Sequence, residues 1–95
     1  MLKFFFTYGT SKQFPYQGGW TEIDAPSKGV AQELFRVYHP DVNPGILNCS
    51  EIYPEEEFRA SKMLIRGNLG ARCHEKISIA VIRLTRGGGN LNEGV

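Results

Sequence analysis

Apolar residues in the first part of the chain are arranged as expected for two β-strands joined by a long connection. The segment 2–9, LKFFFTYG, is aromatic and ends at glycine, which is typical of a strand with apolar residues on both faces. In the segment 19–25, GWTEIDA, alternation places Ile23 on one face and Trp20 on the other, beside two acidic residues. We therefore expect Trp20 to be exposed.

Helical spacing of apolar residues begins directly after the second predicted strand. Ser27 belongs to the residue types that cap a helix N-terminus well. Val30, Leu34 and Val37 follow the spacing that lays one apolar helix face against a sheet. The helix is predicted to end before Pro40, because proline cannot continue the backbone hydrogen-bond pattern.

The second half of the chain predicts a strand, a helix and a further strand. The segment 45–53 lies between two proline-containing turns and is predicted to be the third strand. The segment 54–66 is predicted to be the second helix, because three glutamates follow Pro54 in its first turn and basic residues lie near its end, which complements the helix dipole. The segment 72–84 is the most apolar and is predicted to be the last and central strand.

These elements predict an α+β fold with the order β-β-α-β-α-β, a mostly antiparallel sheet and both helices on one face. Residues 1–86 are predicted to form one domain, and 87–95 a flexible C-terminal tail, because a chain of 95 residues supports one modest core. The predicted core comprises positions that satisfy strand or helix periodicity on compatible faces: Phe4, Phe6, Val30, Leu34, Val37, Ile77, Ile79 and Val81.

Composition and charge narrow the classes of function. Hydrophobic residues make up 41% of the chain and the net charge is +1, which suits a globular domain and excludes a strongly acidic DNA mimic. The first apolar run turns polar at Thr7, too early for a signal peptide, and no later stretch is long enough to span a membrane. We therefore expect a cytoplasmic protein whose two cysteines are free thiols or metal ligands rather than a disulfide.

Residues 39–41 read His-Pro-Asp and directly follow the first predicted helix. The segment 33–44, ELFRVYHPDVNP, resembles the signature loop of J-domain co-chaperones. J-domains are all-helical, however, whereas strands are predicted on both sides of the tripeptide here. The simpler interpretation is that Pro40 ends the helix, His39 lies near its negative end and Asp41 accepts backbone hydrogen bonds. A J-type co-chaperone remains a further alternative.

The candidate metal ligands are His39, Cys49, Cys73 and His74. Their spacing differs from that of zinc fingers, in which paired ligands are about two to four residues apart. Strand alternation also places Cys73 on the face of Ile77 and turns His74 away, so both cannot reach one ion. Because buried thiols can serve as small hydrophobic groups, no metal or other cofactor is expected, and a small zinc-stabilised domain is the alternative.

An enzyme is not expected. The glycine run at 87–89 lacks the lysine and hydroxyl residue of a phosphate-binding loop, and there is no Gly-x-Ser-x-Gly elbow. Cys49, His39 and Asp41 would serve as nucleophile, base and orienting group only if a turn brought them together. Nucleic-acid binding is less favoured than protein binding, although the last strand carries a basic patch of Arg72, His74 and Lys76.

A long aromatic connection between the first two strands is the predicted partner-binding surface. The segment 10–18, TSKQFPYQG, exceeds the length of a tight hairpin turn, and long ordered loops on a rigid scaffold often carry function. The alternative is that this loop folds back and its rings join the core. The predicted surface consists of Phe14, Tyr16 and Trp20, with Tyr53 as a weaker candidate.

Four segments together resemble a family of small uncharacterised phage and mobile-element proteins of Firmicutes: FFFTYGTSKQFPYQGGWTEIDAP, AQELFRVYHPD, LNCSEIYPEEEF and GNLGARCHE. The resemblance covers residues 3–75. It implies a bacterial host cytoplasm and a partner that is a host or defence-system protein or ribonucleoprotein. The expected function is therefore a non-catalytic binding module without a membrane partner. Anti-CRISPR inhibitors, which generally act by binding a nuclease or its guide complex, are one such kind of protein.

Overall fold

A computed structural model describes residues 1–61 and 72–79 of the chain. The described elements are β1 (Leu2–Thr7), β2 (Trp20–Ala25), α1 (Lys28–Tyr38), β3 (Glu51–Pro54), α2 (Glu55–Ala60) and β4 (Cys73–Ser78). The predicted α+β class and element order are confirmed. The predicted continuations of α2 to residue 66 and of β4 to residue 84, core position Val81, and the predicted tail 87–95 lie outside the described residues.

The sheet has the strand order β3-β1-β2-β4. Strand β1 pairs antiparallel with β2 and β3, and β2 pairs parallel with β4, so the sheet is mostly antiparallel as predicted. The prediction that β4 is central was wrong: in the sheet of the described residues β4 lies at an edge and β1 and β2 form the centre. Strand β1 suits the centre because Phe4, Phe5 and Phe6 provide apolar surface on both of its faces.

The two helices cover opposite faces of the sheet, which corrects the prediction that both lie on one face. Phe35 of α1 stacks on Phe6, with ring centroids 4.7 Å apart. Phe58 of α2 stacks on Phe5, with ring centroids 4.1 Å apart. Because neighbouring strand residues point to opposite faces, Phe5 and Phe6 belong to two separate apolar clusters. We call these the α1 face and the α2 face.

Ser27 is the N-cap of helix α1, and its side-chain oxygen accepts a hydrogen bond from the Val30 backbone N–H at 3.2 Å. Its buried face comprises Ala31, Leu34 and Phe35. The prediction that Val37 is a core residue was wrong, since its side chain is 51% exposed. Val37 follows Ala31 by six positions, which places it roughly 120° around the helix from the buried face.

Half of the predicted core positions are fully confirmed. Phe4, Phe6, Leu34 and Ile77 are buried, whereas Val30 and Ile79 are partly buried and pack against the same cluster. The largest buried residues outside that predicted set are Phe5, Tyr8, Trp20, Phe35 and Phe58.

An irregularity in β4 reverses the predicted faces of its first residues. Trp20 pairs with Cys73, but Thr21 pairs with Glu75, so one extra residue lies in β4 between these pairs. Cys73 therefore packs on the α2 face, while Ile77 packs on the α1 face. The prediction that Cys73 and Ile77 share a face was wrong because strand alternation breaks at a bulge.

Gly19 permits the close approach of β4 to the start of β2. Its backbone has φ +70°, and a Cβ at this position would lie 2.2 Å from the Arg72 carbonyl oxygen. The Trp20 N–H donates to that same carbonyl oxygen at 2.9 Å. A residue with a side chain at position 19 would therefore clash with the backbone that pairs with β2.

Candidate functional site

The chain after α1 forms an ordered turn, which we call the His-Pro-Asp turn (residues 39–46). The Asp41 carboxylate accepts hydrogen bonds from Arg36 Nε and from the Gly45 backbone N–H, each at 3.1 Å. The Ile46 N–H donates to the Asn43 carbonyl oxygen at 3.0 Å. The prediction that the helix ends before Pro40 and that Asp41 accepts backbone hydrogen bonds is confirmed.

A second set of hydrogen bonds ties this turn to the sheet. His39 Nε2 lies 2.5 Å from Glu75 Oε2, and the Thr21 hydroxyl donates to the same oxygen at 2.8 Å. Because the carboxylate only accepts, Thr21 uses its proton there and its oxygen accepts from the Tyr8 hydroxyl. We call the series Tyr8, Thr21, Glu75 and His39 the polar chain. It connects β1, β2 and β4 with the end of α1.

The buried end of the polar chain stays protonated. Tyr8 is fully buried, and this burial is the main cause that raises the pKa of its phenol well above 10.0. The neighbouring Glu75 carboxylate acts in the same direction. The phenol therefore remains a hydrogen-bond donor to Thr21 across the neutral pH range.

We expect the free energy of unfolding to fall when the pH rises above about 10. In the folded state the raised pKa of Tyr8 favours the neutral phenol, so this contribution is complete below the unfolded pKa and is lost as the pH rises towards the folded pKa. Urea unfolding of the wild type and Tyr8→Phe between about pH 8 and pH 11 measures the effect. The variant should lose less stability over this interval, and identical slopes would contradict the assignment.

The long connection between β1 and β2, which we call the aromatic loop (residues 9–19), folds back on the α1 face. Tyr16 stacks on His74 with ring centroids 4.3 Å apart and an interplanar angle of 3°. His74 Nε2 lies 2.8 Å from the Gly18 carbonyl oxygen, which it can reach as a donor. Phe14 and Tyr16 are partly buried and pack against the core cluster. For Phe14 and Tyr16, the structure therefore agrees with the predicted alternative, in which the loop folds back and its rings join the core.

The expected exposure of Trp20 was wrong. Trp20 is 5% exposed and meets Phe58 edge to face on the α2 face, with ring centroids 4.9 Å apart. The neighbouring acidic residues, Glu22 and Asp24, do not require this face of the strand to be exposed, because both form ion pairs with Lys3 Nζ at 3.1 Å. The four predicted partner-binding residues do not form one surface, since Trp20 and Tyr53 lie on the α2 face while Phe14 and Tyr16 lie on the α1 face.

The aromatic loop, the His-Pro-Asp turn and the three residues after it line an open cleft of about 120 Å³, which we call the loop–turn cleft. Its lining residues are all uncharged: Gln13, Phe14, Val42, Asn43, Ile46, Leu47, Asn48 and Cys49. Burial raises the pKa of the Cys49 thiol to about 11, so the thiol is neutral at pH 7. The lining of the cleft therefore combines apolar walls with side-chain amides, a combination typical of binding sites.

The structure does not bring the candidate metal ligands together. Within residues 1–61 and 72–79, no group of three or more His, Cys, Asp or Glu residues could hold a metal ion. His39 contacts Glu75, and His74 contacts the Gly18 carbonyl oxygen. Cys73 lies on the α2 face, where its Sγ donates to the backbone oxygen of Glu75 at 3.3 Å. In the described residues, His39, Cys49, Cys73 and His74 therefore do not form one group of candidate ligands.

The predicted basic patch and the predicted nucleophile set are also separated. Arg72 and Lys76 are exposed, but His74 between them is turned into the stack with Tyr16. His39 is bound to Glu75, and Asp41 is bound to Arg36, so neither aligns with the Cys49 thiol as base and orienting group. The described contacts of His39, Asp41 and His74 instead connect the His-Pro-Asp turn and the aromatic loop with α1 and β4.

No protein-family model, curated protein or solved structure matches this chain. In the part of the chain that the structure describes, no helix has the length and apolar character needed to cross a membrane.

The sequence analysis did not predict Val42, Ile46 and Glu75 as residues of the site. The signal for the first two is the segment VNPGI, in which aliphatic residues flank a turn sequence that cannot bury them locally.

Proposed function

We propose that the protein is a non-catalytic binding module that recognises a host protein or ribonucleoprotein through the loop–turn cleft. The observation that carries the proposal is the exposure of two aliphatic side chains on an ordered turn: Val42 is 71% exposed and Ile46 is 64% exposed. Both line the cleft. Apolar side chains exposed side by side at a concave site are typical of protein interfaces.

The hydrogen bonds around the turn support this role because they reduce the entropic cost of binding. Arg36 and the Gly45 N–H hold Asp41 on one side, and Glu75 holds His39 on the other. Ordering a mobile side chain at an interface costs about 0.5–1.5 kcal/mol, and ordering a loop costs more. A turn that is already fixed presents Val42 and Ile46 without that cost.

The charge of the cleft favours a protein surface over a nucleic-acid backbone as the part of the target that is contacted. Its eight lining residues include no lysine, arginine, aspartate or glutamate. Binding to a phosphate backbone depends on cationic side chains, whereas the centres of protein interfaces are depleted in charge. For a ribonucleoprotein target, we therefore propose that the protein component is contacted.

The resemblance to phage and mobile-element proteins supports a target in the bacterial host. Accessory proteins of such elements act on host proteins or on host defence systems, and binding is the usual means. A nuclease or its guide complex is one target of this kind, in which case the protein would be an anti-CRISPR inhibitor. The proposed binding mode is the same for each of these targets.

A matched pair of valine substitutions tests the proposal. Val42→Lys places a charge in the uncharged cleft, whereas Val37→Lys places the same charge on α1, where the side chain is also exposed and does not line the cleft. We expect tagged wild type and Val37→Lys to capture a common protein from a Firmicutes host lysate. With that protein purified, Val42→Lys should weaken binding by about 2 kcal/mol, or roughly 30-fold.

Circular dichroism and thermal unfolding of both variants provide the control for folding. Both valines are exposed, so each variant should unfold within about 0.5 kcal/mol of the wild type. Equal affinities of Val42→Lys and Val37→Lys for the captured protein would remove the loop–turn cleft as the binding site. Loss of capture in both variants, with the fold intact, would instead move the site to a larger surface that includes α1.

A further inference from the structure

The loop–turn cleft has features that specify the chemistry of its occupant, and the argument rests on the proposed binding function. Its volume of about 120 Å³ is slightly smaller than an engineered apolar cavity of about 150 Å³ that binds benzene. By proportion, the cleft holds a group of about four to five non-hydrogen atoms. Leucine and isoleucine side chains have this size, whereas the rings of phenylalanine and tryptophan are larger.

The walls of the cleft select for an uncharged group. Phe14, Val42, Ile46 and Leu47 supply apolar surface, and the Cys49 thiol is neutral. A charged side chain would lose hydration on entry and find no opposite charge among the lining residues. An aliphatic side chain carries no charge that must be dehydrated, and its burial contributes about 25 cal/mol of binding free energy for each Å² removed from water.

Side-chain amides at the cleft provide the second feature. The amides of Gln13, Asn43 and Asn48 form no hydrogen bond with another described residue of the chain. Each carboxamide offers both a donor and an acceptor, which matches the N–H and C=O groups of a peptide backbone. Amides beside an apolar cavity therefore suit an aliphatic side chain that is carried on an extended peptide segment.

We infer that the loop–turn cleft binds one leucine-sized aliphatic side chain of a protein partner, with Gln13, Asn43 and Asn48 contacting the peptide backbone on either side. The charge, the size and the amides of the cleft each exclude a different class of occupant. The lack of cationic side chains disfavours phosphate groups, the volume disfavours aromatic rings, and the amides favour a peptide over a bare hydrocarbon chain.

The probe for this inference is N-acetyl-leucine-N′-methylamide, which carries one aliphatic side chain between two peptide groups. We expect its titration to shift the backbone amide NMR signals of Val42, Ile46 and Cys49, with saturation in the millimolar range expected for so small a ligand. The matched lysine and phenylalanine derivatives should bind at least about tenfold more weakly. In Ile46→Lys the shifts should disappear, and in Val37→Lys they should remain.

Two results would overturn the inference. One is the absence of saturable shifts at these residues up to about 50 mM leucine derivative, and the other is equal binding of the leucine and lysine derivatives. The outcome is separable from that of the proposed function. If capture of the partner protein depends on Val42 but the leucine derivative does not bind, the proposed binding function is supported and the inferred aliphatic occupant is wrong. If the derivative binds but capture is independent of Val42, the proposed function fails instead.

Discussion

Replacing Phe58 with alanine is expected to lower the free energy of unfolding by about 3–5 kcal/mol. Phe58 is fully buried, stacks on Phe5 and meets Trp20 edge to face. Among the described residues of α2, Phe58 alone is buried against the sheet, so its truncation would leave a cavity between α2 and β1. Urea unfolding measures the change, and the emission of Trp20 should shift towards the red because water gains access to its ring.

Tyr38→Ala is the matched control, since Tyr38 is an aromatic residue of α1 that is partly exposed. It should cost about 1 kcal/mol or less, because little apolar contact is lost. If Phe58→Ala were as mild as Tyr38→Ala, α2 would not cover the second face of the sheet. Such a result would restore the arrangement with one covered face that the sequence pattern predicted.

Replacing Glu75 with alanine is expected to lower the free energy of unfolding by about 3 kcal/mol. The Glu75 side chain is 21% exposed and accepts hydrogen bonds from Thr21 and His39. Hydrogen bonds to a charged group each contribute about 1.5–3 kcal/mol, and their loss would leave the buried Thr21 hydroxyl without an acceptor. Amide hydrogen exchange in the His-Pro-Asp turn should also accelerate, because the link between His39 and β4 is removed.

Glu33→Ala provides the comparison for this variant. The Glu33 side chain is 76% exposed, and its ion pair with Arg36 has a distance of 3.5 Å. Exposed pairs of this kind contribute about 0–1 kcal/mol, so the variant should remain close to the wild type. Equal losses of stability in Glu33→Ala and Glu75→Ala would show that the polar chain does not hold the turn.

Periodicity predicted the element types and their order because each element has a local apolar signature. The prediction that both helices lie on one face of the sheet was wrong, and the sequence already contained evidence against it. Phe4, Phe5 and Phe6 place apolar side chains on both faces of β1, and a strand of this kind requires cover on both sides. The second layer is α2, and within its described residues, Glu55–Ala60, Phe58 is the one buried side chain, so this part of the helix gives a weak apolar signal.

The face of a strand residue could not be predicted where two distant segments determine it. The extra residue in β4 lies opposite the start of β2, where Gly19 lets the Arg72 carbonyl approach. These residues are far apart in sequence, and no local pattern in RCHEK marks the bulge. The faces of Cys73 and Ile77 were therefore predicted by an alternation that the tertiary structure interrupts.

The candidate site was predictable only in its local parts. Asp41 and the end of α1 follow from the preferences of proline and aspartate near helix ends, and Phe14 lies at the cleft as part of the aromatic loop. The contact between His39 and Glu75 joins residues that are 36 positions apart, so it depends on the pairing of β4 with β2. The exposure of Val42 and Ile46 likewise depends on how the turn is held against the sheet.

Hydrogen-exchange mass spectrometry of the complex with the captured protein tests the central claim most directly, because it reports which backbone segments the partner covers. We predict slower exchange on binding in residues 40–49 and 10–16, which border the loop–turn cleft, and unchanged exchange in α2 (Glu55–Ala60). Protection of α2 with no change in residues 40–49 would contradict the proposal that the cleft is the binding site.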